Sequence, residues 1–459
     1  MIPAGQPQPL PRDADEAAAS DAVEAAASGP DDRARSLLVR GGRRLSGEVA
    51  LAGAKNSALK LMAASLLAPE PSTIRRVPRI ADVFTMVEML RALGAEVSFD
   101  DGELRIDPSG RLNETAPYEL VRRMRASIIV MGPMVARLGR ATIAMPGGCN
   151  IGPRRIDFHI RGLQRLGAEI EIEHGFIEVR SDGLRGAAVP LDYPSVGATE
   201  NLLMAATAAR GTTVIDNAAR EPEIVDLAKF LMSMGAQIQG AGTSSITIEG
   251  GHELHGAIHE VVADRIEAGT YLLAGVATGG DVTVRGLNPT CLELFLNKLR
   301  AMGVQVDEGD REIRARTLGP LRPVDVSTLP HPGFATDLQA QFMVALSLAD
   351  GTSIVTENVF ENRFAVVDEL NRLGAGITTS GHHAVVTGPR ELTGTVVEAP
   401  DLRGGAALAI AGLVAEGATE VRGLHHIDRG YEDFDVKLAA LGAEVARVED
   451  GSGAGEAGA

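Results

Sequence analysis

The stretch LRALGAEVSF, residues 90–99, ends an apolar helix on a glycine and reopens as an alternating strand. Leu90 and Leu93 carry the helical face, Gly94 supplies the left-handed residue that stops it, and Val97 and Phe99 alternate with polar neighbours. The same phrase returns as LQRLGAEIEI (163–172), LMSMGAQIQG (231–240), LRAMGVQVDE (299–308), LNRLGAGITT (370–379) and LAALGAEVAR (438–447). The glycines are Gly94, Gly167, Gly235, Gly303, Gly374 and Gly442, spaced by 73, 68, 68, 71 and 68 residues.

A second phrase runs in step with the first. A turn leads into a β-rich run at PSTIRRV (71–77), GRATIAM (139–145), GTTVIDN (211–217), GDVTVRG (280–286), GTSIVTE (351–357) and GATEVRG (417–423). Each unit therefore reads as turn, strand, loop, helix, glycine stop, strand, hairpin, strand and a further helix. Helix stops of the LGA kind are common in α/β proteins, but two phrases recurring in step six times are not. Units of about 70 residues exceed a solenoid repeat and fall short of a full domain. Two groups of three make domains near 200 residues with a cleft between them, a favoured place for ligands.

Composition narrows the function. The formal net charge of −17 argues against a nucleic-acid partner, whose footprint is normally basic. It leaves small anionic substrates open, because arginines in a cleft attract anions locally even on an acidic protein. Two cysteines are too few for a disulfide framework and fit a reducing compartment. No apolar run approaches a membrane span, and the N-terminus has neither the basic start nor the apolar core of a signal peptide. A cytoplasmic enzyme with no membrane partner is expected. Residues 1–35, rich in Ala, Asp, Glu and Pro, read as a disordered acidic tail, and residues 450–459 as a flexible one.

Function is expected where one unit carries residues its siblings lack. Four places qualify. In AGAKNSALKLMAASLLA (52–68), Lys55 and Asn56 precede an apolar helix. A lysine there opposes the helix dipole and, with the terminal amides, suits an anion; the plain alternative is a solvated lysine beside an Asn cap. In MPGGCNIGPRRIDFHI (145–160), Cys149 lies in a glycine-rich loop near Arg154 and Arg155, which favour its thiolate; the alternative is an ordinary loop with an incidental cysteine. Cys291, in PTCLELFLNKL, reads as a small hydrophobe on an amphipathic helix. In LPHPGFATDLQAQF (329–342), Asp337 opens a helix, and its default role is a cap or first-turn acid. Finally, Arg125, Arg363, Arg403 and Arg429 stand on loops at unit boundaries, where several guanidinium forks converging on one cleft would suit phosphate and carboxylate.

These stretches together resemble one family, the UDP-N-acetylglucosamine 1-carboxyvinyltransferases. The resemblance spans about residues 36–448 through GAKNSALK, MRASI, PGGCNIG, SVGATEN, NAAREPEIVDL, TDLQAQF, ENVFENRF, DLRGG and HHIDRGYEDF. It implies an α/β fold of two domains, each an inverted α/β barrel or prism of three repeats. The boundaries it implies are 36–54 plus 264–449 for one domain and 55–263 for the other, with the chain crossing near Lys55 and Asp264. It implies transfer of the enolpyruvyl group of phosphoenolpyruvate to the 3-hydroxyl of UDP-N-acetylglucosamine, the first committed step of peptidoglycan synthesis, with no cofactor and no metal.

The same resemblance assigns roles. Cys149 matches the proton donor and the thiol alkylated by fosfomycin, on a loop that acts as a lid. Asp337 matches the base. Lys55, Asn56, Arg154, Arg403 and Arg429 match the phosphoenolpyruvate site, and Lys55 and Arg429 also serve the chemistry. Asn56, Arg125, Arg154, Arg155, Ile156, Asp157, Phe158, Ser195, Val196, Gly197, Asp337, Val359 and Arg363 match the nucleotide-sugar site. Two positions depart from the pattern: Arg155 and Ala335 stand where the family usually has proline. Arg155 keeps open a paralogue with a different nucleotide or nucleoside acceptor. The PGGC and SVGATEN stretches argue against the shikimate-pathway relative. Retained Cys149, Asp337 and Lys55 argue against a silent regulatory binder.

Overall fold

A computed structural model describes residues 35–145 and 156–449. All six phrases form the same element pair in it. The helices Ala81–Ala92, Asp157–Arg165, Pro222–Ser233, Glu293–Ala301, Val367–Arg372 and Phe434–Ala440 each precede one of the six glycines. Those glycines have φ of 100°, 92°, 108°, 94°, 100° and 96°, a left-handed region closed in practice to residues with a Cβ. The strand that follows each pairs antiparallel with the next strand as a hairpin in five units.

The six sheets share one plan. A strand parallel to its neighbour leads to the strand of the second phrase, and the hairpin completes the row antiparallel, as in Ser46–Ala50, Asp281–Arg285, Glu312–Arg316 and Gln305–Glu308. In one sheet the parallel strand is reduced to a single bridge, Thr115 to Thr142. In the last unit the second hairpin strand comes from the other end of the chain: Arg35–Arg40 lies between Ala418–Arg422 and Glu444–Glu449. Ser46–Ala50 likewise completes the sheet of the fourth unit, and Ile258–Glu260 that of the first. The repeat is thus closed by chain exchange between its ends, a feature that spacing alone does not reveal.

Each unit also contributes an inner helix that is largely buried and rich in apolar residues. These are Lys55–Ala64, Met131–Leu138, Val196–Ala208, Arg265–Ala277, Gln339–Ser347 and Leu402–Val414. The last three pack on one another. Small residues permit close approach: Gly132 donates its N–H to Asn201 Oδ1 at 2.5 Å, and a Cβ there would lie 2.4 Å from the Asn201 carbonyl. Burial divides into two hydrophobic clusters, one drawn from Ala54–Val261 and the other from Leu37–Leu51 with Ala263–Leu441.

The chain passes between the clusters at two places that lie side by side. Gly53 bridges Ala263, Ala54 N–H donates to the Val262 carbonyl at 2.7 Å, and Asp264 N–H to the Ala52 carbonyl at 3.1 Å. Buried acids fix this ribbon. Asp264 accepts from Ile266 and Glu267 N–H, capping the helix Arg265–Ala277. Glu267 accepts from Ala52 N–H and pairs with Lys437 at 2.6 Å; burial raises its pKa to about 7 against the Lys437 charge. Among the described residues no helix is long and apolar enough to cross a membrane.

Candidate active site

The helix Lys55–Ala64 starts at Lys55, and Asn56 does not cap it: the residue before the helix is Ala54, with no side-chain cap. Asp264 takes that part by accepting the Lys55 N–H at 3.2 Å. Nor is Lys55 solvated. Its side chain is 11% exposed, and Nζ lies 2.7 Å from Asp82 Oδ2. The other oxygen of Asp82 accepts from Arg429 Nε at 2.9 Å. Asp82 stands in the first turn of Ala81–Ala92 and Arg429 follows the helix Leu424–Asp428, so the carboxylate joins elements 347 positions apart. Burial raises the pKa of Asp82, but the Lys55 and Arg429 charges outweigh it and hold the group below its ordinary value.

Asp337 sits in a 3₁₀ turn, Thr336–Leu338, and caps no helix. Its Oδ1 accepts from Arg363 Nη2 at 2.7 Å, and Oδ2 from Arg403 Nη2 and Nε at 3.2 and 3.3 Å. Both arginines are buried at 4% exposure, whereas the Asp337 side chain is 24% exposed. Arg403 is set by the helix Leu402–Val414, which Asp401 caps through the Arg403 and Gly404 N–H groups. Its guanidinium lies 5.2 Å from the Tyr431 ring centroid, and Tyr431 is fixed by Thr270 at 2.9 Å. Burial disfavours the Arg403 charge, but Tyr431, Asp337 and Asp264 outweigh it, so the group stays fully protonated. Among the described residues Arg403 Nη1 and Arg363 Nε are buried without a hydrogen-bond partner. Buried guanidinium donors left open in this way suit an anion.

The two clusters are neighbours, since the Arg403 charge acts on Lys55. A third group flanks them. Glu357, 1% exposed, accepts from Val359 N–H at 2.8 Å, Phe360 N–H at 3.0 Å and Thr336 Oγ1 at 2.9 Å. It thereby ties the loop of Val359 to the turn of Asp337. Across from it, Tyr193 feels the charges of Glu221 and Glu357. Two residues on, Ser195 caps the helix Val196–Ala208 through Ala198 N–H, with Val196 and Gly197 in its first turn. Gly197 lies against His159, a buried ring whose pKa is lowered to about 4 by desolvation. Ile156 precedes the helix Asp157–Arg165; Asp157 pairs with Arg161, and Phe158 is buried beneath the Arg161 guanidinium, 5.3 Å from its centroid.

Cys149, Arg154 and Arg155 lie outside the described residues. Arg125 opens a 3₁₀ turn, Arg125–Val130, and its side chain is likewise outside the description. Cys291 is on a 3₁₀ turn, Pro289–Leu292, rather than the following helix, and burial raises its thiol pKa. Sequence reasoning passed over Asp82 and Glu357, and it named Asp264 only as a crossing point of the chain. Asp82 looks like any first-turn acid, at the start of the first outer helix. Arg265 and Glu223, paired at 3.0 Å between the two clusters, were also missed.

Residues 39–438 match the family model of EPSP synthase (3-phosphoshikimate 1-carboxyvinyltransferase). UDP-N-acetylglucosamine 1-carboxyvinyltransferase 2 of Carboxydothermus hydrogenoformans is 52% identical over 90% of this chain and 99% of its own. UDP-N-acetylglucosamine 1-carboxyvinyltransferase 3 of Caldanaerobacter subterraneus is 51% identical over the same shares. Among solved structures, the enolpyruvyl transferase NikO of Streptomyces tendae is 28% identical, with a TM-score of 0.83 over 91% of this chain and 99% of its own. The chain belongs to the UDP-N-acetylglucosamine 1-carboxyvinyltransferases, transferases within the wider EPSP synthase family.

Proposed function

We infer that this enzyme transfers the enolpyruvyl group of phosphoenolpyruvate to the 3-hydroxyl of UDP-N-acetylglucosamine and releases phosphate, in the cytoplasm, as a step of peptidoglycan precursor synthesis. The observation that carries the reading in the molecule itself is the arrangement at Asp337. A partly exposed carboxylate is held by two buried arginines that keep unpaired donors, next to a second set of cations.

In this reading the sugar oxygen adds to C2 of phosphoenolpyruvate while C3 takes a proton. The tetrahedral adduct then loses a proton from C3 and expels phosphate from C2, which restores the double bond and leaves the enol ether of the sugar. Asp337 accepts the hydroxyl proton. Cys149 delivers the proton to C3. Lys55, Arg403 and Arg429, with Arg154, hold the phosphate and carboxylate and stabilise charge in the adduct. Asn56, Arg125, Arg155, Ile156, Asp157, Phe158, Ser195, Val196, Gly197, Val359 and Arg363 form the nucleotide-sugar side. The N-terminal end of Val196–Ala208 suits its diphosphate. Closure of the Cys149 loop would keep water from the adduct. Domains of 36–54 plus 264–449 and of 55–263 fit the two core clusters, with the site between them.

The test is phosphate release by the purified protein with both substrates. Release with a different nucleotide acceptor and none with UDP-N-acetylglucosamine would transfer the reading to a paralogue, for which Arg155 is the motive. Cys149→Ser is expected to abolish alkylation by fosfomycin while sugar-nucleotide binding persists; full labelling of that variant would remove the role given to Cys149.

A further inference from the structure

We propose that Asp82 is a positioning residue for the anionic substrate: its carboxylate holds the Lys55 ammonium and the Arg429 guanidinium around one point. The proposal rests on the assignment of Lys55 and Arg429 to phosphoenolpyruvate. Its grounds are geometric. A first-turn acid can serve the helix dipole while fully hydrated, yet this one is 5% exposed with one oxygen given to each cation, at 2.7 and 2.9 Å. Burying a charge is costly unless it is paired. The two cations belong to different core clusters, so the shared carboxylate sets their separation before any substrate arrives.

The carboxylate has a second consequence for Lys55. The groups that face this side chain are Asp82 from Ala81–Ala92, Arg429 and the Gly430 backbone from the segment after Leu424–Asp428, and Arg403 from Leu402–Val414; Asp264 holds its own N–H. Burial lowers the Lys55 pKa, the Arg429 and Arg403 charges push the same way, and Asp82 opposes all three. Without the Asp82 charge the proton on Lys55 is lost at lower pH, and a neutral amine no longer attracts an anion.

The test reads Lys55 directly and needs no substrate. Cyanate carbamoylates neutral amines, and peptide mass spectrometry follows each lysine separately. In Asp82→Asn, checked as folded by circular dichroism, Lys55 should react at least about tenfold faster relative to exposed Lys229 than in the wild type near neutral pH. An unchanged ratio in the folded variant overturns the proposal. Asp82→Glu keeps the charge but moves it by one methylene. It should leave Lys55 slow and raise KM for phosphoenolpyruvate about tenfold, with the affinity for UDP-N-acetylglucosamine unchanged. An unaltered KM, or a fast Lys55, also overturns it. Absence of phosphate release by the wild type would instead strike the functional reading and leave the carbamoylation result standing.

Discussion

Asp82 and Asp337 are built alike and exposed differently. Each carboxylate lies between two cations, and each cation set draws on elements far apart in the chain. Around Asp82 the carboxylate is sealed at 5% exposure and one of its cations, Arg429, reaches solvent at 30%. Around Asp337 the order is inverted: the arginines are sealed at 3% and 4%, and the carboxylate is open at 24%. In the Asp82 triad the most exposed member is a cation, and in the Asp337 triad it is the acid. On this view an acid at Asp82 organises cations for an anion, and cations at Asp337 organise an acid for a proton.

The largest expected effect follows from that inversion. Asp337→Asn should lower kcat by about a thousandfold, within the usual range for loss of a general base, while binding of UDP-N-acetylglucosamine stays near wild type. A variant within a few-fold of normal turnover would put Asp337 on the same footing as Asp82. Asp82→Asn leaves Lys55 and Arg429 without a shared partner and should cost about 3 kcal/mol, seen as a lower melting midpoint than that of the wild type. A midpoint equal to the wild type's would mean that the sealed carboxylate is not what holds the two cations.

A smaller effect is expected at Glu357, which organises the turn of Asp337 through two backbone N–H groups and Thr336. Glu357→Gln replaces an acceptor-only group by one with donors facing donors, so KM for the sugar nucleotide should rise about tenfold with a lesser change in kcat. An effect on kcat alone would place Glu357 in the chemistry instead.

Away from the two triads, a pH dependence of stability is expected. His159 is buried neutral, held by Asn201, with a pKa of about 4 against 6.5 for the free side chain. Between those values the unfolded chain binds more protons than the folded one, so stability falls as pH drops from about 6.5 toward 4. Glu200, buried at a pKa of about 7, acts oppositely, since the folded form keeps a proton that the unfolded form sheds above about 4.5. The difference in melting midpoint between wild type and His159→Gln should therefore shrink as pH is lowered from 7 to 5, by the equivalent of about 2 kcal/mol. A constant difference would mean that His159 is not buried neutral.

The repeat was legible because it depends on local chemistry. A helix that must stop needs a residue able to adopt positive φ, and Gly94 and its five counterparts announce it one by one. The inner helices were less plain, since an apolar segment such as LLMAATA gives no face to count. The exchange of Arg35–Arg40 into the last sheet was not legible at all: its partners lie about 380 to 410 residues away, and only pairing in space reveals them. The site divides in the same way. Asp337 and the arginines could be named through the motif set, but not their mutual arrangement, and at Asp337 the capping role was a fair alternative until its helix proved to start elsewhere. Asp82 and Glu357 were illegible because their meaning lies in being buried, and burial is decided by elements distant in the chain.

The most direct measurement is phosphate release from phosphoenolpyruvate by the wild type and Asp337→Asn, with and without UDP-N-acetylglucosamine. The expected result is release by the wild type only when the nucleotide sugar is present, and a loss of about a thousandfold in the variant. Release that is indifferent to the nucleotide sugar, or equal in the two proteins, would contradict it.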